Sequence, residues 1–388
     1  MSNSPDENPF GGMPFFGDLA KAMASQGPLQ WDVARQVAVM TATHGTNSET
    51  NVDPASRIAV ERLAPIAEMH VRESTGIDLG SANSVRVINR SMWTHLALEA
   101  YKPMFQNLAN SLSSTPATTE SSDDPMANML ESLNKMIAPA MMGMSVGTMV
   151  GQLSLRAFGQ YDLPVPRDAG SGVLIVAPNV ETFATDWSIV IDDMRMWVLI
   201  HEFTSHSIIT RETVRLALTE TLGRYISGFR PNPDALMDRL SSVELGTDDP
   251  MKAMQKFLTD PSILLGAVRS AAQEQLAPEL DAIVAAVIGY VDHHVDRVAE
   301  KLLGTDSRIA EAVRRRRVEA SPQDTFVEQL LGLKLSNTQV QRGTDFVNGV
   351  VERAGAPALA QLFARPGNLP TPNELVAPGL WLARLDVQ

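Results

Sequence analysis

Cysteine is absent from this 388-residue chain, which removes disulfides and thiolate zinc sites, so any metal would have to rest on His, Asp and Glu. Positive charge is also short. Lys and Arg total 32 against 45 Asp and Glu, and the formal charge of -13 argues against general affinity for nucleic acid or anionic lipid, because an acidic surface repels phosphate. No Gly-rich phosphate loop and no Gly-x-Ser-x-Gly elbow occurs, leaving nucleotide hydrolysis and serine-hydrolase chemistry without support. A basic segment followed by an apolar core is missing from the N-terminus, and the expectation is a cytoplasmic protein. One uncharged run, Met136 to Leu155, has the length to cross a bilayer. Pro139, Ser145, Thr148 and Gln152, with no basic or aromatic flanks, instead predict a buried helix, whose Gly143, Gly147 and Gly151 permit close packing.

What is present is a globular composition, 44% hydrophobic, arranged mostly at helical spacing. Residues 1–28, with Phe10, Phe15 and Phe16 among glycines and prolines, predict a flexible tail. Residues 29–388 then read as a mainly α domain interrupted by a flexible polar loop at about 111–125. Helices are expected from Trp31 to Thr43, after the Asp53-Pro54 cap signal, from Arg211 to Tyr225, from Leu280 to Leu303 and from Gly343 to Ala354. Shorter helices between Asp234 and Ala272, separated by Asp-Pro steps, and a helix carrying Phe326 to Leu333 complete the expectation. Gly172 to Pro178 reads as a short buried strand, leading through Asn179-Val180-Glu181 into the helix that carries His201. The four arginines Arg314 to Arg317 read as a solvated helix end.

The chain is organised around Asp192 to His206, whose apolar residues run into His201-Glu202. A zinc-peptidase helix begins in this way and continues as His-Glu-x-x-His, because residues four apart lie within about 40° of each other around the helix and both imidazoles can face one ion. Here the fifth position is Ser205. His206 lies five residues on, rotated roughly 140° away from His201 on a regular helix. A one-residue π-bulge would swing it back.

Several blocks together resemble a family of zincin-like metallopeptidases from actinobacteria, sometimes labelled as associated with deazaflavin coenzyme biosynthesis. They are Trp31 to Gln36, Leu155 to Leu163 with Gly159-Gln160-Tyr161-Asp162, Ala177-Pro178-Asn179, Trp197 to Thr204, Gly289 to His293, and Arg314 to Leu333 with Glu319-Ala320-Ser321-Pro322. The resemblance implies a mostly helical zincin-like domain with a short β element beside the His201-Glu202 helix. It also implies a zinc held by two histidines and a later carboxylate, with a glutamate as general base. His201 matches the first ligand and Glu202 the base. Ser205 falls where the second histidine is expected, and Ile288, just before Gly289-Tyr290, where the third ligand is expected.

Three functional readings follow. In the first, two ligand positions are lost, no metal cofactor is expected, and the cleft binds a protein or peptide partner, an active family member or a second copy of the chain. In the second, an active zinc-dependent hydrolase rebuilds its site from His201, His206 and Asp292 or His293, with Glu202 as base. A third class is a structural subunit with the Met136 to Leu155 segment at an oligomer interface.

Overall fold

The structure, a computed structural model, describes residues 27–46, 48–79, 85–113, 125–168, 170–231, 267–268, 270–304, 308–318, 330–333 and 335–386. Residues 1–26 of the expected tail, residues 114–124 of the loop at 111–125, the short helices expected between Asp234 and Ala272 up to residue 266, and residues 326–329 of the stretch at Phe326 fall outside these residues; at the end of the last expected short helix Ala267–Val268 form a strand instead.

Helix α1 (Trp31–Ala42) is followed by α2 (Pro54–Thr75), which starts where Asp53 Oδ1 accepts the Ala55 amide at 3.1 Å. Gly76 ends α2 in the left-handed region at φ 69°, the stop a glycine makes without strain. Strand β1 (Val85–Ile88), α3 (Arg90–Ser113) and α4 (Pro125–Ser154) come next. The α4 glycines lie against α1: a Cβ on Gly147 would stand 2.5 Å from Ala34 O and 2.8 Å from Val37 Cβ. The uncharged run is thus a helix packed inside the chain, and no described helix is long and apolar enough to cross a membrane.

Strand β2 (Val173–Val176) pairs in parallel with β1, Val85 opposite Val173 and Ile88 opposite Val176. Its other edge is covered by Phe158 and Gly159, since Val176 N–H donates to Phe158 O at 2.8 Å and Gly159 bridges Ile175. All four β2 residues are buried, so this strand offers no edge for an extended substrate. The chain does not pass straight from β2 into the central helix. A separate helix α5 (Ala177–Asp186) intervenes, and the turn before the next helix places Ser188 at φ 53°.

The central helix α6 (Ile191–Ile209) is buried along most of its length, with Met194, Leu199, Ile200, Phe203 and Ile208 in the core. Helix α7 (Glu212–Ser227) leads to β3 (Arg230–Pro231), which pairs antiparallel with β4 (Ala267–Val268). Helix α8 (Ala271–Leu303) starts earlier than the sequence suggested. A capping box between Ser270 and Gln273 nucleates it, and Pro278 is accommodated inside the helix. Helices α9 (Arg308–Val318) and α10 (Asn337–Ala354), a 3-10 helix (Ala356–Phe363), α11 (Pro372–Val376) and α12 (Pro378–Asp386) finish the chain. Helices α8 and α10 cross where Gly289 meets Gly343, so closely that a Cβ on Gly289 would collide with Gly343 O and lie 3.0 Å from its Cα. Trp381 on α12 is wholly buried, its Nε1–H donating to Asn368 O at 2.6 Å, which pins the C-terminal segment to the body.

The chain is therefore mainly α, with a two-stranded parallel sheet beside the central helix.

Candidate functional site

Helix α6 packs against α2 and α8, and this packing sets what each residue of the His201 turn faces. His201 and Ser205, one turn apart, line the same small cavity of about 30 Å³ together with Ile288 and Asp292 of α8. Four of the positions singled out in the sequence are thus brought together. His206 is not among them. The helix is α throughout, without a π-bulge, and His206 lies against Tyr161 with its Nδ1 2.9 Å from the phenol oxygen. Burial pushes the His206 pKa down to about 4 and the Tyr161 pKa well up, so a neutral imidazole accepting from a protonated phenol satisfies both groups.

Glu202 points away from the cavity as well. Its fully buried carboxylate accepts the main-chain N–H of Gln160 at 2.8 Å and of Tyr161 at 3.2 Å. Burial raises its pKa, against the opposing pull of His201, whose Nδ1 lies 3.4 Å from Oε1, and of the Gln160 amide. In this position Glu202 braces the Phe158–Asp162 turn to the central helix. Gly159 makes the close approach possible, because a Cβ there would collide with the Glu202 carboxylate and stand 2.6 Å from Leu174 O. The turn is held from its other side by Trp93, whose Nε1–H donates to Gly159 O at 2.6 Å.

His293 faces a different hollow. It lines a cleft of about 780 Å³ between α8, α9 and α10, with Asp292, Asp296 and Arg314, and its buried Nε2 has no hydrogen-bond partner among the described residues. Its neighbour His294 turns inward, Nδ1 2.8 Å from Ser74 Oγ, and burial carries its pKa down to about 3. Asp292 borders both this cleft and the small cavity.

Sequence reasoning passed over three residues of the His201 surroundings. Trp197, one turn earlier on α6, stacks on the imidazole with ring centroids 5.4 Å apart and 15° between planes. Asp162 lines the cavity, but its Oδ2 accepts the amides of Phe158 and Gly159 at 2.8 and 3.1 Å. Arg316, expected on a solvated helix end, lies with its guanidinium 4.0 Å from the Phe158 ring centre and donates to Arg156 O. It closes a second hollow, of about 70 Å³, that includes Trp197, His201 and Asp162. The Gly159 to Asp162 block carried the signal for the second of these, Asp162; nothing in the arginine run marks Arg316 as different from its neighbours.

A mainly helical body with a His-Glu pair on its buried central helix beside a short parallel sheet agrees with a zincin-like domain. The chain belongs to the zincin-like metallopeptidase family, whose model matches residues 29–382. Among curated proteins none matches the sequence. Among solved structures the fold is similar to one from Chloroflexus aurantiacus described as "a putative hydrolase with a novel fold", with a TM-score of 0.62 and 22% identity over 93% of this chain and 99% of that one. That likeness is one of fold.

The family implies zinc, and a catalytic zinc needs three protein ligands and an open position. Among the described residues no three of His, Cys, Asp and Glu form a group that could hold a metal ion. His201, Asp162 and Asp292 border one cavity, yet one oxygen of Asp162, Oδ2, is committed to two amides and Ser205 and Ile288 also line the cavity. This arrangement does not fit a zinc centre.

Proposed function

We propose that this chain is a catalytically degenerate member of the zincin-like metallopeptidase family that acts by binding a protein or peptide in the cleft between α8, α9 and α10, which meets the His201 cavity at Asp292. The observation that carries the reading is the pairing of His201 with Ser205. The side chain one turn after His201, facing the same cavity, is a hydroxyl rather than an imidazole, while His206 is engaged with Tyr161. The orientation of Glu202 supports it too. A general base must reach the attacking water, and this carboxylate is spent on two main-chain amides. The larger cleft between α8, α9 and α10 supplies room for a peptide, with Asp292, Asp296 and Glu300 on one wall and Arg314 and Arg315 on another.

A second reading, an active metallopeptidase with a rebuilt site, draws its support from His201 and Asp292 sharing one cavity. Metal analysis separates the two. Protein purified without chelator is expected to carry far less than one zinc per chain, with no difference between wild type and His201→Ala. Stoichiometric zinc that disappears in His201→Ala would overturn the first reading in favour of the second.

A further inference from the structure

On the other side of the Gly159–Asp162 turn from Glu202 lies a separate hollow of about 410 Å³, bounded by α3, α7, the sheet and the segment around Gln160 to Gly172. Its size is that of a small-molecule site. One wall is apolar, made by Leu96, Ala100 and Met104 of α3 with Leu222 of α7. The remainder is polar and carries three arginines, Arg86, Arg167 and Arg215, in a chain that is acidic as a whole. Two carboxylates are also present, Glu99 and Asp168, but Glu99 already pairs with Arg35 at 3.3 Å.

Two buried donors here lack acceptors. Gln160 is 3% exposed and Arg167 8% exposed, and neither Gln160 Nε2 nor Arg167 Nε has a hydrogen-bond partner among the described residues. Leaving such donors unpaired is costly, so native proteins rarely do it without a reason. Arg167 is held in place by other contacts, its guanidinium 4.7 Å from the Tyr101 ring centre and its Nη2 donating to Gln160 O at 3.3 Å. Its position is therefore set before any ligand arrives. Arg86 and Arg215 pair with no carboxylate among the described residues, which leaves both free to approach a bound anion.

We infer that this hollow binds an organic anion, an oxyanion group attached to an apolar body. Gln160 Nε2, Arg167 Nε and the Arg86 and Arg215 guanidiniums receive the oxyanion, and the α3 wall covers the body. A carboxylate and a phosphate monoester share this chemistry. The site is independent of whether His201 holds a metal. It shares one residue with the His201 region, since the Gln160 main chain binds Glu202 while its side chain serves this hollow.

Calorimetric titration of the full chain at low salt tests the inference with four probes: phenyl phosphate, 4-phenylbutyrate, inorganic phosphate and benzyl alcohol. One or both organic anions are expected to saturate at one per chain, and which of them binds distinguishes a phosphate ester from a carboxylate. Binding is expected to weaken roughly tenfold in Arg215→Ala and in Gln160→Leu, the loss of one charge-assisted or buried hydrogen bond. Inorganic phosphate is expected to bind at least roughly tenfold more weakly, and benzyl alcohol not at all. Arg215 is half-buried on the surface of α7, so its replacement leaves the core intact, and Arg86→Glu gives an independent reading should Gln160→Leu fail to fold. Failure of both organic anions to bind, binding unchanged in the arginine variants, or inorganic phosphate binding as tightly as the organic anions would overturn it.

Discussion

His201 is fixed by its neighbours more than by anything it could ligate. Trp197 stacks on one face, Glu202 lies 3.4 Å from Nδ1, and Ser205 and Ile288 line the same small cavity. If those two residues are what keeps zinc out, replacing them should let it in. The double variant Ser205→His with Ile288→Glu is expected to take up one zinc per chain after dialysis against the metal, under conditions where wild type takes up none, as read by elemental analysis. Uptake by neither protein would mean that the cavity, and not its two substituted walls, differs from that of a zincin. Glu202 carries the complementary lesson. Its letter marks a base, yet its carboxylate is held by the Gln160 and Tyr161 amides, and only the path of the Phe158–Asp162 turn reveals this.

At the scale of elements, close backbone approach at glycines decides which faces meet. The α4 glycines lie on α1, and Gly289 of α8 lies on Gly343 of α10. The first of these pairings bears on the idea that the uncharged run serves as an interface between copies. With Ala34 O only 2.5 Å from a Cβ at position 147, the glycine face is already covered from within the chain. Gly147→Leu is accordingly expected to destabilise the fold by about 3 kcal/mol or more, the cost of severe overpacking. Its unfolding midpoint in denaturant should fall while the mass in solution stays that of wild type. Dissociation of an oligomer without loss of stability would show the opposite. The second pairing explains Gly289 without chemistry: it is the point at which α8 and α10 touch, and the touching places Ile288 and Asp292 toward α6.

For the molecule as a whole, buried histidines tie stability to pH. His206 and His294 are nearly inaccessible, and burial pulls their pKa values to about 4 and about 3. A base whose folded pKa is depressed binds fewer protons folded than unfolded between the two values. Stability therefore stands complete above the unfolded pKa near 6.5 and is lost as pH falls toward the folded one. For His294 the loss between pH 7 and pH 5 amounts to about 2 kcal/mol. Glu202, raised by burial, acts in the reverse sense, since its protonation is easier in the fold. Denaturant unfolding at pH 7 and pH 5 should show a smaller drop in His294→Gln than in wild type, and an equal drop would refute the assignment.

The sequence by itself determined that the chain is mainly helical, where several helices begin, and that a short buried strand stands near a His-Glu helix. Periodicity, the Asp53-Pro54 cap and the apolar run at Val173 are local signals, and local backbone preference answers to them. It also placed His201 with Ser205 through motif spacing, Ile288 with them through family resemblance, and Asp292 one helical turn after Ile288. Tertiary structure alone decided where side chains point. The partner strand Val85–Ile88, the inward turn of Glu202, the contact of His206 with Tyr161 and the descent of Arg316 onto Phe158 all join residues dozens of positions or more apart. Such contacts depend on how helices cross and which glycines let them approach, and no window of neighbouring residues encodes that.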